Sequence, residues 1–256
     1  MIYNDPNLPT HEVKIPDINR YLDSTILKPV TSPDQICTLC EGAVRYGFRS
    51  VRVPPSFVYQ AYDIIRNQLQ NKSVLIGTVI SFPFGYDTVQ SKRSTIAELV
   101  SAGADECDVV LSHTIKMGGY IFEELGQYES FSHKVNIIPI LEVSHFDSMP
   151  DQLIKLISQI ENMNFIKVLK TSTGVNVRAT LPDDVKRIKN NFGDRFIIKA
   201  SGGISNFDSA FSMIKAGASI IGTSGAESIA IEHSIIKKKF DKDTDPVLKL
   251  IDSKLE

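Results

Sequence analysis

The chain has 256 residues, 28 basic against 30 acidic side chains, a formal net charge of −2 and 42% hydrophobic residues. That balance excludes a general nucleic-acid or membrane-surface binder working by long-range attraction. Three cysteines exclude a disulfide scaffold and point to a reducing, cytoplasmic compartment, and no apolar run reaches the ~18 residues a membrane span needs. The length suits one α/β domain of about 250 residues.

Residues 1–17 carry no basic segment or long apolar run and are predicted to be an N-terminal extension rather than a signal peptide. The first predicted strand is Thr25–Leu27. Thr31-Ser32-Pro33-Asp34 then supplies a cap, a first-turn proline and an early acid for a helix over Asp34–Tyr46, which Gly47 closes. Cys37 and Cys40 fall on the apolar side of that helix and read as core packing, not as a metal site. The second and third strands are Arg49–Val53 and Val74–Ser81. A helix over Tyr86–Ala102, stopped by Gly103, leads to the fourth strand, Glu106–Leu111. Asn136–Val143 and Phe165–Thr171 are the fifth and sixth. Leu181-Pro182-Asp183-Asp184 opens another helix, and Phe196–Ser201 is the seventh strand. A helix over Asn206–Ala216, closed by Gly217, precedes the eighth, Ile220–Thr223. Residues 237–256 form a charged C-terminal tail expected to be a solvated helix. Eight apolar runs alternating with helical segments predict a parallel sheet covered on its outer face. In this length that is a single-domain (β/α)8 TIM barrel.

Chemistry in such a barrel sits at the C-terminal ends of the strands. The charged residues singled out inside the apolar runs are Asp108 in the fourth, Glu142 in the fifth, Lys167 and Lys170 in the sixth and Lys199 in the seventh. Burying an unpaired charge is costly, and two lysines on adjacent strands repel. Both effects favour the neutral amine. An ordinary lysine is only about 0.04% neutral at pH 7, so a drop of ~3 units raises the reactive fraction by about 10³, as Schiff-base catalysis on a carbonyl requires. Lys167 and Lys170 are three apart and face opposite ways. With Lys170 inward, Ile166 and Val168 share its face and Lys167 meets the helix layer. Lys170 also directly precedes the turn Thr171-Ser172-Thr173-Gly174. Ser201-Gly202-Gly203 and Gly222-Thr223-Ser224-Gly225 follow the last two strands, the usual phosphate site of this architecture, and Thr171–Gly174 completes a cup. Of the five histidines, His113 and His145 lie just after the fourth and fifth strands and read as rim residues.

The segments LDSTILKP, VISFPFG, ADECDVV, ILEV, LKTSTG and IKASGG occur in the order found in deoxyribose-phosphate aldolases, and the chain resembles that family from about Ile18 to Gly225. The resemblance implies a class I aldolase that needs no metal and no cofactor. Such an enzyme reversibly cleaves 2-deoxy-D-ribose 5-phosphate to D-glyceraldehyde 3-phosphate and acetaldehyde. It implies Lys170 as the Schiff-base lysine, Lys199 as the lysine that lowers its pKa, and Asp108 as a proton-transfer carboxylate working with a water. It further implies Gly174, Gly202, Gly203 and Ser224 around the phosphate, with Thr173 and Gly222 beside them, and Asp23 in support. A homo-oligomer is the family's usual state.

The chain departs from the family pattern in several places. Ser24 stands where histidine is frequent, Pro139 and Val143 where a lysine and a threonine flank the glutamate, and Ser205 where an arginine is common. The eighth-strand motif lacks an arginine and a second serine. Each charge-assisted hydrogen bond lost is worth roughly 1.5–3 kcal/mol. Two alternatives therefore stand: an aldolase of the same family with a different or unphosphorylated acceptor, and a catalytically silent barrel that binds a phosphate ligand.

Overall fold

The structure, a computed structural model, describes residues 17–112, 121–175 and 178–244, with side chains to Lys239. His113, residues 1–16 of the extension and residues 245–256 of the tail lie outside the described residues. Eight parallel strands close into a barrel in sequence order: β1 Leu22–Thr25, β2 Ser50–Arg52, β3 Leu75–Ile80, β4 Glu106–Val110, β5 Asn136–Ile140, β6 Val168–Lys170, β7 Ile197–Ser201 and β8 Ile220–Thr223. Eight described helices surround them: α1 Pro33–Tyr46, α2 Val58–Tyr62, α3 Val89–Ser101, α4 Ile121–Leu125, α5 Pro150–Glu161, α6 Pro182–Phe192, α7 Phe207–Lys215 and α8 Ala226–Thr244. A π-helical stretch, Asp63–Gln68, continues α2. No helix among the described residues is long and apolar enough to cross a membrane.

The local signals act as their chemistry dictates. Ser32 and Gln35 form a reciprocal capping box on α1, and Gly47 ends that helix in the left-handed region at φ 67°. The Asp184 carboxylate takes the Leu181 N–H at the start of α6. Cys40 is buried in the core and Cys37 is partly buried, its thiol against Glu41. The helix α8 runs through the first part of the charged tail, to Thr244.

Two expectations shift. The first strand is Leu22–Thr25, not Thr25–Leu27. It pairs with β8 through Leu22, Asp23 and Ser24 and with β2 through Asp23, Ser24 and Thr25. A charged residue can occupy that strand because Arg49, Arg52 and Lys199 satisfy Asp23 inside the barrel. The sixth strand begins only at Val168, so alternation does not extend back to Ile166, which packs in the outer core.

The core has two unequal parts. Between strands and helices lies one continuous apolar layer reaching from Ile18 to Ala230. Each fully buried Leu, Ile or Val there contributes roughly 1.5–3 kcal/mol. Inside the barrel, Ile138, Val168 and Ile220 form a small cluster of their own. Around it, buried interior positions on β1, β2, β4, β6 and β7 carry charges, and that determines where chemistry is possible.

Candidate active site

Lys170 is the last residue of β6, and its register partner on β7 is Lys199. Neighbouring strands lie about 4.8 Å apart, so the two amines are held side by side. Asp108, at the centre of β4, faces both: its Oδ2 accepts from Lys170 Nζ at 2.9 Å and from Lys199 Nζ at 3.0 Å. Lys199 Nζ also reaches Asp23 Oδ2 at 2.7 Å. The four side chains expected to carry or support the chemistry are therefore one cluster. Both lysines are buried; Lys170, at 4% exposed against 1% for Lys199, is the slightly more accessible of the two.

The cluster extends downward through residues the sequence reading did not single out. Arg52 Nη2 donates to Asp23 Oδ2 at 2.8 Å and to Glu106 Oε2 at 2.6 Å. Its Nη1 stands 3.3 Å from Asp108 Oδ1, close enough for an ion pair but without hydrogen-bond alignment. Arg49 donates to Asp23 Oδ1 at 2.7 Å and pairs with Glu106 through both Nη atoms. Glu106 was legible in principle, since it alternates with Asp108 and must share its face. The signal for Arg52 lay in the register: its partner on β3 is Gly77, where a Cβ would fall 1.8 Å from Arg52 Nη1.

These charges set the protonation states. Burial pushes the Lys170 amine down and Lys199 and Arg52 push the same way, while Asp108 pulls up; the result is a pKa lowered to about 8. Burial alone would raise Asp108, yet Arg52, Lys170 and Lys199 hold it far below the usual carboxylate range. Burial opposes ionisation of Asp23 and Glu106 too. Lys199, Arg52 and Arg49 hold Asp23 down, and Arg52 and Arg49 hold Glu106 down. With a pKa of about 8, roughly a tenth of Lys170 is neutral at pH 7, a few-hundredfold more than for an ordinary lysine. A buried neutral amine at the C-terminal end of a barrel strand is equipped to attack a carbonyl carbon.

Glu142 is not in the strand, which ends at Ile140. It stands at φ 56° in the left-handed region, unusual for a non-glycine residue, at the entry to the turn Val143–Phe146. Its buried carboxylate accepts from Thr173 N at 2.5 Å and so holds the loop after Lys170. Lys167 is exposed, away from the cluster.

Above the amines, the glycine loops meet at backbone distance. A Cβ on Gly202 would lie 3.2 Å from Gly174 Cα, one on Gly203 2.4 Å from Ala179 Cβ, and one on Gly222 3.3 Å from Lys199 Cε. Thr173 and Gly174 spend their N–H groups internally, on Glu142 and on Ser172 Oγ. Those of Gly202, Gly203 and Ser224 have no acceptor among the described residues. Arg178, in the same loop as Gly174, is committed to Asp147 and Asp184. A cavity of about 300 Å³ opens beside this site, between α1 and the start of α8; Ser24, Ser224 and Glu227 line it, and the two lysines do not.

No family model matches the chain. A deoxyribose-phosphate aldolase of Caldanaerobacter subterraneus subsp. tengcongensis is 34% identical, over 86% of this chain and 95% of its own length. A solved structure described as QR15, an aldolase, is similar with a TM-score of 0.79 and 31% identity, covering 88% of this chain and 99% of its own. The deoxyribose phosphate aldolase from Aeropyrum pernix, described as having a unique tetrameric structure, has a TM-score of 0.74 and 26% identity, covering 85% of this chain and 91% of its own.

Proposed function

The chain belongs to the deoxyribose-phosphate aldolase family, and we propose that it cleaves 2-deoxy-D-ribose 5-phosphate reversibly to D-glyceraldehyde 3-phosphate and acetaldehyde through a Schiff base on Lys170. The observation that carries this reading is the pair of register-matched lysines on one buried carboxylate oxygen, with the more accessible amine lowered to about 8.

In this mechanism neutral Lys170 Nζ attacks C1 of the open-chain sugar, and loss of water gives the iminium. A proton leaves the C3 hydroxyl, the C2–C3 bond breaks, and its electron pair flows to nitrogen as the enamine. D-Glyceraldehyde 3-phosphate departs. Protonation of C2 and hydrolysis then release acetaldehyde and restore the amine. Asp108, anionic and within reach of both lysines, passes the protons with Lys199 through a water. Asp23 fixes Lys199. The N–H groups of Gly202, Gly203 and Ser224 take the phosphate, with Gly174 and Gly222 giving the clearance and Thr173 the wall. A homo-oligomer in the cytoplasm completes the reading; light scattering on the purified chain tests the first part.

The test of the chemistry is a borohydride trap. The protein is incubated with 2-deoxyribose 5-phosphate or with acetaldehyde, reduced, digested and mapped by mass spectrometry. A Lys170 adduct from both is expected. An adduct from acetaldehyde alone would favour an unphosphorylated acceptor, and no Lys170 adduct from either would leave a silent binding barrel.

A further inference from the structure

The proposed mechanism uses two lysines and Asp108, yet Arg52 of β2 and Arg49 just before it enter the same ionic cluster. Arg52 is fully buried, and the position beside it on β3 is a glycine whose Cβ would overlap the guanidinium at 1.8 Å. Replacing an interior side chain by empty space and filling it with a buried guanidinium is a costly arrangement on stability grounds alone, since apolar residues of similar volume are often as stable or more so. The charges it meets suggest what it does. Facing Lys170 and its partners are Asp108 and Glu106 from β4, Lys199 from β7, Asp23 from β1, and Arg52 with Arg49 from the β2 side. Glu142, past the end of β5, is turned to the Thr173 N–H. The interior thus holds three carboxylates against Arg49, Arg52, Lys199 and Lys170. The first three cations already neutralise the carboxylates, and Lys170 is the surplus.

Asp108 has two oxygens with different neighbours. Oδ2 serves the lysines, while Oδ1 faces Arg52 Nη1. Without the guanidinium, Asp108 would keep only Lys199 as a second cation and would hold the Lys170 proton more tightly. We propose that Arg52, housed by Gly77, is a positioning residue that acts through Asp108: it stands as an ion-pair partner against the carboxylate's second oxygen and supplies the cation that makes Lys170 the surplus charge of the interior. This rests on the reading of Lys170 as the Schiff-base lysine and adds to the role of Lys199 a second, independent control of the nucleophile.

The test follows the rate of borohydride-trapped acetaldehyde labelling of Lys170 as a function of pH, in wild type, Arg52→Met, Glu106→Gln and the double variant. Arg52→Met removes a cation and moves the midpoint to higher pH by about one unit, which cuts labelling at pH 7 about tenfold. Glu106→Gln removes an anion and moves the midpoint the other way by less. The double variant returns close to wild type. A purely structural role would lower labelling at every pH with the midpoint in place, and that result overturns the proposal, as does a shift of both single variants in one direction. If Arg52→Met fails to fold by circular dichroism, Glu106→Gln decides: an acid shift supports the proposal, and no shift or an alkaline one overturns it. Absence of any wild-type adduct overturns the aldolase reading and this inference with it; a wild-type adduct whose midpoint ignores Arg52 and Glu106 overturns this inference alone.

Discussion

The barrel interior and the glycine cup above it are a few ångströms apart and are built on opposite principles. The interior is a lattice of charged side chains: Arg52, Lys199 and Asp108 each meet two or more charged partners at 2.6–3.3 Å, and Lys170 meets Asp108 at 2.9 Å. The cup is backbone: glycines whose missing side chains let Gly174 and Gly202 abut, and N–H groups that point at nothing else among the described residues. The loop segments Ser201–Asn206 and Thr223–Gly225 contain no lysine or arginine. A fixed lattice of charge can set a pKa, because it costs no reorganisation at the moment of reaction. A neutral cradle can only offer dipoles, so it recognises shape and partial charge. Catalysis and substrate recognition should therefore be separable by substitution.

The largest effect belongs to the nucleophile. Lys170→Met should reduce turnover of 2-deoxyribose 5-phosphate to below about 10⁻⁴ of wild type, as expected when a covalent step is lost. Phosphate-ester binding should survive, as equilibrium dialysis would show. Turnover within tenfold of wild type would remove Lys170 from the mechanism. Asp108→Asn comes next, with a loss in kcat on the order of 10²–10⁴-fold as for a general acid–base group. KM should change little, because the carboxylate lies below the substrate and does not touch the cup.

The pH profile tests the same half of the molecule without substitution. The Lys170 pKa is lowered to about 8, so the reactive neutral form grows as pH rises. The rate of adduct formation should increase about tenfold from pH 7 to pH 9 and then level. An ordinary lysine would still be rising tenfold per unit at pH 9. Stability follows with two signs. Asp23, Glu106 and Asp108 are held below their unfolded values, so they stabilise the fold above about pH 4–5 and that contribution is lost as pH falls. Lys170 works the other way. Its folded value lies below its unfolded one, so the unfolded chain binds the extra proton between about pH 8 and 10.4, and stability from this group rises across that window. Urea midpoints across pH would check both slopes.

How far these two regions could be read from sequence differs for a physical reason. The strand and helix alternation was legible because each strand is an apolar run buried against helices, and glycine stops such as Gly47 mark the helix ends. Lys170, Lys199 and Asp108 stood out as charges inside such runs. The cup was legible as glycine pairs. The base of the ionic lattice was not. Asp23 hid β1 by interrupting its apolar pattern, and Arg49 and Arg52 looked like ordinary strand-edge residues. What turns Arg52 inward is the void at Gly77, and that pairing exists only once β2 and β3 are in register. Glu142 was seen but placed in the strand, since alternation gives no sign of a left-handed residue that is not glycine.

The cup should respond to backbone geometry. Gly203→Ala puts a methyl 2.4 Å from Ala179 Cβ at a residue with φ 77°. Misplacing one N–H donor of about 1.5–3 kcal/mol to a charged group should raise KM for the phosphate ester roughly tenfold or more. Acetaldehyde labelling of Lys170 should be unaffected, and equal damage to both would show that the two regions are not separable.

The smallest expected effect distinguishes a dipolar cradle from a cationic one. An arginine fork at the phosphate would be screened by salt, with its attraction falling as the Debye length shrinks from about 10 Å at 0.1 M to about 3 Å at 1 M. Hydrogen bonds from Gly202, Gly203 and Ser224 at close contact are far less sensitive to screening, and the chain as a whole carries only −2. KM for 2-deoxyribose 5-phosphate should therefore change less than about twofold between 0.05 and 0.5 M sodium chloride, with inorganic phosphate a weak competitor. A rise of tenfold or more would mean that a cation reaches the phosphate. Arg178 would be the first to examine, because it already lies in the loop that carries Gly174 and only its ion pairs with Asp147 and Asp184 commit its guanidinium elsewhere.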